Sequence, residues 1–273
     1  MASYPTKLFG IVGYPLGHSM SPGLHNWGFK EVDFPGVYLA WSEPPEKLKD
    51  FFRAVRLLPI LGGNITIPHK VEAMKLVDKV SERAAAIGAI NTFYWKGEEL
   101  WGENTDVIGF LAPLKGRSFR KALLLGAGGV SRAVIAGLQE LGVPEIVIAN
   151  RTLEKAQALA DHFHIKAIPW DERMEPDADL IINATSQGMK GEQVDKSPYE
   201  KKWLEGRKGL VYDIVYNPRE TLLLRESKAA GWETVTGLTM FVEQARAAFA
   251  LWTGGVEMPQ APATAKVKEL LGL

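Results

Sequence analysis

The chain has 273 residues, 46% of them hydrophobic, with 32 Lys and Arg balancing 32 Asp and Glu and with no cysteine. That length and apolar content suit two packed domains and argue against disorder. The even charge argues against a nucleic-acid surface or an electrostatic membrane anchor, and the lack of cysteine rules out disulfides, thiolate metal sites and a cysteine nucleophile.

Leu8 to Val12 reads as a buried strand, followed by a Gly- and Pro-rich loop. Ser21 before Pro22 predicts a helix start, with Ser as N-cap, and a helix over 22–32. A second strand is expected over Val37–Trp41. Pro45 then opens a helix whose Leu48, Phe51, Phe52 and Val55 recur at helical spacing. Gly62 to Pro68 reads as a strand ending in a Pro turn, then a short helix with Val71, Met74 and Val77 inward. Ser81 and Gly88 bracket another helix, and Ala89–Trp95 is strand-like up to Lys96-Gly97. The alternation predicts an α/β unit over the first ~100 residues.

A connecting helix is expected over 106–114, and a βαβαβ array begins at residue 121. Its first strand runs through Ala122–Leu125, its second through Glu145–Ala149, with Thr152 capping a helix to about Phe163. Ala178–Asn183 and Gly209–Val215 read as parallel strands buried on both faces. A helix over 219–230 and a short strand over Glu233–Val235 close the array. A long amphipathic helix over 237–252 and a final helix over 263–271 follow it. The expected fold is an α/β substrate domain over 1–105 and a Rossmann-like dinucleotide-binding domain over 106–236. The C-terminal helices, 237–273, are expected to return to the first domain.

The stretch Gly126-Ala127-Gly128-Gly129-Val130-Ser131 lies between strand and helix. Glycines let a backbone approach a pyrophosphate, and a helix N-terminus offers N–H donors with a positive dipole end. Ser131 stands where a third glycine is usual, and a tight βα turn without a ligand is the alternative reading. The second strand ends in Asn150-Arg151-Thr152, with Lys155 one turn on. A carboxylate there would hold the ribose of NAD; a cation fork suits a 2′-phosphate, so NADP is expected. Asn183-Ala-Thr185 follows the third strand at the end of the sheet where ligands bind, so Thr185 is a cofactor candidate.

Hydride chemistry at an alcohol also needs a proton donor or acceptor. The candidates are Lys70, after the strand carrying Asn64 and Thr66, and Asp106 in Gly102-Glu-Asn-Thr-Asp106. The carboxylate orients the ammonium, which gives or takes the proton. The alternatives are a surface lysine and a plain helix cap. The five histidines show no zinc-binding spacing, so no metal is expected.

Eight motifs in this order resemble the shikimate dehydrogenase family over nearly the whole length. They are Gly13-Tyr-Pro-Leu-Gly-His-Ser19-Met-Ser21-Pro-x-x-His-Asn26, Asn64-Ile-Thr66-Ile-Pro-His-Lys70, Gly88-Ala-Ile-Asn91-Thr, Gly102-Glu-Asn-Thr-Asp106, Gly126-Ala-Gly-Gly-Val-Ser-Arg-Ala, Asn150-Arg-Thr, Asn183-Ala-Thr-Ser and Gly237-Leu-Thr-Met240-Phe-Val-Glu-Gln244-Ala. The resemblance implies reversible NADPH-dependent reduction of 3-dehydroshikimate to shikimate, a step in aromatic amino-acid biosynthesis. It implies that Ser19 and Ser21 hold the substrate carboxylate, that Asn64, Thr66, Asn91 and Gln244 hold ring hydroxyls with Tyr216 nearby, and that Lys70 and Asp106 form the catalytic pair. It also implies that the glycine loop binds the pyrophosphate, that Asn150, Arg151, Thr152 and Lys155 surround the 2′-phosphate, and that Gly237 and Met240 lie near the nicotinamide. Val107-Ile-Gly109 and Lys155 depart slightly from the family pattern; Lys155 keeps the charge but loses the planar fork of Arg.

An NAD-dependent quinate/shikimate dehydrogenase and a non-catalytic nucleotide or shikimate sensor are the alternatives; Arg151 opposes the first and the Lys70–Asp106 pair the second. The expected partner is a small-molecule substrate, with no nucleic acid and no membrane, in a monomer or homodimer. No run nears the ~18 apolar residues of a membrane span, and the first residues lack a signal-peptide core, so the cytoplasm is the expected location.

Overall fold

The computed structural model describes residues 6–17 and 19–272. It divides into two compact units, Met1–Gly109 with Val242–Leu273, and Phe110–Phe241.

In the first unit, β1 (Lys7–Gly13), α1 (Ser21–Glu31) and β2 (Gly36–Ser42) lead through a 3-10 turn at Pro45–Lys47 into α2 (Leu48–Leu57) and β3 (Ile60–Ile65). A 3-10 segment at Glu72–Leu76 precedes β4 (Lys79–Val80), α3 (Glu82–Ile87), β5 (Thr92–Lys96) and β6 (Glu99–Glu103). The strands form one mixed sheet in the order β2-β1-β3-β5-β6-β4. β1 runs parallel to β2 and β3, whereas β5 is antiparallel to both β3 and β6. The β5–β6 pairing is closed by a tight hairpin at Gly97, whose φ of 65° lies in the left-handed region that glycine enters without steric cost. β4 and β6 were not among the expected strands.

α2 buries Leu48, Phe51, Phe52 and Val55, the face its spacing predicts. Phe52 meets Phe93 of β5 edge-on at 5.5 Å. Two local expectations are corrected. Ser21 is the first helical residue and Met20 the N-cap, with no side-chain capping bond, so the Ser21 hydroxyl is not spent there. In the segment after β3 the buried residue is Ala73, while Val71 is exposed, because the chain turns as a tighter 3-10 helix rather than an α-helix. Ser81 does cap α3, accepting from Ala84 N at 3.0 Å, and Gly88 ends it at φ 70°.

α4 (Asp106–Leu111) leads to the second unit, built from β7 (Lys121–Leu125), α5 (Ser131–Glu140), β8 (Glu145–Asn150), α6 (Leu153–Phe163), β9 (Lys166–Pro169), β10 (Leu180–Asn183), β11 (Leu210–Asp213), α7 (Leu222–Ala229) and β12 (Glu233–Thr236). All its strand pairs are parallel, in the order β12-β11-β10-β7-β8-β9. This is the doubly wound dinucleotide-binding order, with its switch point between β7 and β10. β9 was not expected.

Side chains alternate across this sheet as a strand's period of two requires. Ala122, Leu124, Ile146, Ile148, Leu180 and Ile182 join α5 and α6 in one apolar cluster. Leu123, Leu125, Val147, Ala149 and Ile181 join α7 in the other. Burial on both faces explains why these strands read as unbroken apolar runs.

α8 (Gly237–Thr253) and α9 (Gln260–Leu271) end the chain. Trp252 stacks on Phe9 of β1 at 5.7 Å and donates to Phe93 O at 3.1 Å, and Phe249 lies 4.9 Å from Phe29. No helix among the described residues is long and apolar enough to cross a membrane.

Candidate active site

In the first unit the segment after β3 is tied to the segment before β5. Ile65 N donates to Asn91 O at 2.7 Å, and Ile90 N donates to Lys70 O at 2.9 Å. These bonds bring two of the sequence motifs together, and Asn91 N, donating to Glu103 O at 3.0 Å, adds the third. Lys70 Nζ donates to Asp106 Oδ2 at 2.6 Å, and the two side chains are only 14% and 10% exposed.

Asn91, 3% exposed, organises the opposite side of Asp106. Its Nδ2 donates to Asp106 Oδ1 at 2.8 Å, and its Oδ1 accepts from Thr105 N at 2.7 Å. Asn104 Oδ1 receives Asp106 N at 3.1 Å. The carboxylate oxygens of Asp106 are therefore engaged by Lys70 and Asn91, not by helix capping. A buried pair of this kind gains little net stability over an apolar pair, but removing one partner strands a charge at a cost of about 3–5 kcal/mol. Such an arrangement suits proton chemistry at the ammonium better than a structural role.

The neighbouring candidates lie in the same unit. Asn64 is 6% exposed and accepts from Tyr38 Oη at 2.6 Å. Ser21 is 7% exposed, and Ser21 N donates to Ser19 Oγ at 3.4 Å. Thr66 follows β3 and Gln244 lies on α8, both half-buried. Tyr216 belongs to the second unit, where its ring packs on Phe241 at 4.8 Å and burial raises its phenol pKa.

The second unit carries a separate cleft of about 340 Å³, lined by Gly126–Gly128, Asn150–Thr152, Lys155, Trp170 and Ala184–Gln187, with Gln193. It lies at the carboxyl ends of β7, β8 and β10, the ligand-binding end of such sheets. Gly126 has φ 107°, and a Cβ there would come within 3.0 Å of the Ala184 backbone. Ser131 fills the missing-glycine position in a specific way: it accepts from Gly128 N at 3.0 Å and donates to Gly126 O at 2.9 Å.

Asn150 Oδ1 accepts from Ala127 N at 3.1 Å, and Asn150 Nδ2 donates to Thr152 O at 2.8 Å, so this amide braces the turn. Arg151 and Lys155 are exposed and have no carboxylate partner among the described residues. Gly129 and Val130 complete the turn into α5. The cradle and its two unneutralised cations fit a phosphorylated dinucleotide.

Thr185 is held by Asn183, which in turn donates to Asp213 Oδ1 at 2.9 Å. Gly237 is needed by the backbone, since a Cβ there would lie 2.0 Å from Ile214 O. Met240 is 4% exposed and packs into the apolar cluster around Phe110 and Tyr212, so its side chain is committed to the core. Trp170, whose ring lies 4.4 Å from the Arg173 guanidinium, lines the cleft but was not a sequence candidate; it follows β9, which the sequence reading missed.

Three family models match in chain order. The shikimate dehydrogenase substrate binding domain matches residues 11–93, shikimate / quinate 5-dehydrogenase matches 113–221, and the shikimate 5′-dehydrogenase C-terminal domain matches 237–268. The chain belongs to the shikimate dehydrogenase family. A family member from Pelobacter propionicus, named shikimate dehydrogenase (NADP(+)), is 48% identical over 268 residues, covering 97% of this chain and 96% of its own. The Thermus thermophilus shikimate 5-dehydrogenase in complex with NADP(H) and shikimate is 37% identical, with a TM-score of 0.85 over 97% of this chain and 99% of that one. The Corynebacterium glutamicum quinate dehydrogenase in complex with NAD is 30% identical, with a TM-score of 0.89 over 96% and 99%.

Proposed function

We propose that the chain is an NADP-dependent oxidoreductase that interconverts shikimate and 3-dehydroshikimate, with Lys70 and Asp106 moving the proton. The observation that carries this reading is the 2.6 Å Lys70–Asp106 pair held by Asn91 in a member of the shikimate dehydrogenase family. Bound NADP supplies the hydride acceptor or donor.

In the oxidising direction the Lys70–Asp106 pair receives the proton of the reacting hydroxyl. In the reducing direction Lys70 Nζ–H returns a proton to the carbonyl oxygen. Asp106 keeps the ammonium aimed through the 2.6 Å hydrogen bond. Ser19 and Ser21 are proposed to donate hydroxyls to the substrate carboxylate, and Asn64, Thr66, Asn91 and Gln244 to hold ring oxygens, with Tyr216 also contacting substrate.

In the same reading the first unit binds substrate and the second binds the cofactor. The Gly126–Val130 turn, Thr185 and Gly237 serve the phosphates and nicotinamide, and Arg151 with Thr152 and Lys155 reads the 2′-phosphate. Arg151 is the specific reason to prefer NADP over NAD. The proposal places the enzyme in the cytoplasm as a monomer or homodimer.

A spectrophotometric assay of NADP reduction by shikimate tests it, run beside NAD and quinate. Turnover with NADP and shikimate as the preferred pair is expected; a strong preference for NAD or quinate, or no turnover, overturns the reading.

A further inference from the structure

Tyr38 is carried on β2, and nothing in its strand pattern singles it out from an apolar core residue. It is 1% exposed, with its ring stacked on His25 at 4.5 Å and tilted against Trp252 at 5.7 Å. Asn26 clamps the Tyr38 backbone from both sides, donating to Tyr38 O at 2.8 Å and accepting from Tyr38 N at 2.9 Å. The phenol is thus held in position by packing and by its own main chain. From there Tyr38 Oη donates to Asn64 Oδ1 at 2.6 Å.

The orientation of the Asn64 amide then follows. Its Nδ2 donates to Asn91 O across a longer 3.4 Å contact. With the amide turned over, Asn64 Oδ1 would face the Asn91 carbonyl and oppose two acceptors. The phenol and the carbonyl therefore select the same orientation. It uses one lone pair and one N–H of the amide and leaves the second N–H available.

We propose that Tyr38 is a positioning residue that fixes Asn64 as a hydrogen-bond donor towards a ring oxygen of the substrate. The inference rests on the reading of Asn64 as a substrate ligand. Burial pushes the Tyr38 phenol well above its usual range, so the phenol remains a donor throughout the working pH range.

The test is a double-mutant cycle on the whole enzyme with Tyr38→Phe, Asn64→Ala and the pair, reading kcat/KM for shikimate and KM for NADP. Tyr38→Phe keeps the ring and is expected to lower kcat/KM for shikimate by roughly 10-fold, the effect of one lost buried hydrogen bond. The NADP KM is expected to stay unchanged. In the Asn64→Ala background the same change is expected to cost less than about 2-fold, since the amide it orients is gone.

A full penalty in both backgrounds, or none in either, overturns the positioning role alone. An Asn64→Ala enzyme with unchanged kcat/KM overturns the substrate role of Asn64 and the inference with it. A measurement on the unaltered tyrosine keeps the question decidable if Tyr38→Phe does not fold. A protected Tyr38 hydroxyl proton is expected by NMR in the wild type and absent in Asn64→Ala; its persistence without Asn64 overturns the proposal.

Discussion

Asn91 and Asp106 are joined by a buried 2.8 Å hydrogen bond that fixes which carboxylate oxygen faces Lys70. With Oδ1 engaged by Asn91 Nδ2, only Oδ2 is presented to the ammonium. Asn91→Ala is expected to lower kcat more than shikimate affinity, through loss of this aim, and to destabilise the fold by about 1–3 kcal/mol as Thr105 N and Asp106 lose their buried partner. Steady-state kinetics and thermal melting read the two effects separately, and unchanged kcat would count against the orienting role.

Lys70→Ala removes the proposed proton donor. A kcat loss of roughly 10²–10⁴-fold is expected, with a much smaller change in shikimate binding, because proton transfer matters in the transition state. Full activity in this variant would end the proposed mechanism.

Arg151→Ala removes the cation proposed to read the 2′-phosphate. A charge-assisted bond of about 1.5–3 kcal/mol corresponds to roughly 10–150-fold in kcat/KM for NADP. Activity with NAD is expected to change far less. Equal losses with both cofactors would place Arg151 elsewhere in the binding event.

These residues differ in how openly the sequence announces them. The turn at 126–131 is legible because an apolar run, three glycines and a helical pattern are contiguous, and Arg151 because it ends the next strand. Parallel strands buried on both faces are equally plain. The Glu99–Glu103 strand was missed because it mixes charge with apolar residues in five positions, and β9 because it is four residues long and ends in proline.

The Lys70–Asp106 pairing is a contact across 36 positions and the Tyr38–Asn64 bond one across 26. Local periodicity carries no trace of either. The misplaced cap at Ser21 is a shift of one residue, the ordinary uncertainty of a helix end.

Asp213 gives the second unit its own pH dependence. Burial pushes its carboxyl up from 3.8 to about 6, although it accepts from Thr221 Oγ1 at 2.6 Å, Asn183 Nδ2 and Val215 N. A folded value above the unfolded one means that the stabilising contribution is complete below about pH 4 and is lost as the pH rises through about 6, a change of order 3 kcal/mol. His25, lowered by burial to about 3, acts in the opposite sense and costs stability as the pH falls below 6.5. The difference between wild type and Asp213→Asn in denaturant stability isolates the first effect: the variant is expected to gain relative to wild type between pH 4 and 7, and parallel curves would refute it.

Gly126→Ala places a side chain at φ 107° and against the Ala184 backbone. A loss of about 1–3 kcal/mol in stability is expected from the backbone alone, together with weaker NADP binding. Calorimetry of unfolding and of NADP titration checks both; an alanine variant that binds NADP normally would show that the turn tolerates a Cβ.

Ser131 changes what kind of object this turn is. A hydroxyl bonded at once to Gly128 N and Gly126 O closes a ring through the side chain, so the bend keeps its shape without any anion to organise it. A glycine at this place would leave the same bend to be ordered by its ligand, and part of the binding free energy would go into freezing the chain. With serine, the freezing is done during folding, and a phosphate meets a surface already in its final form.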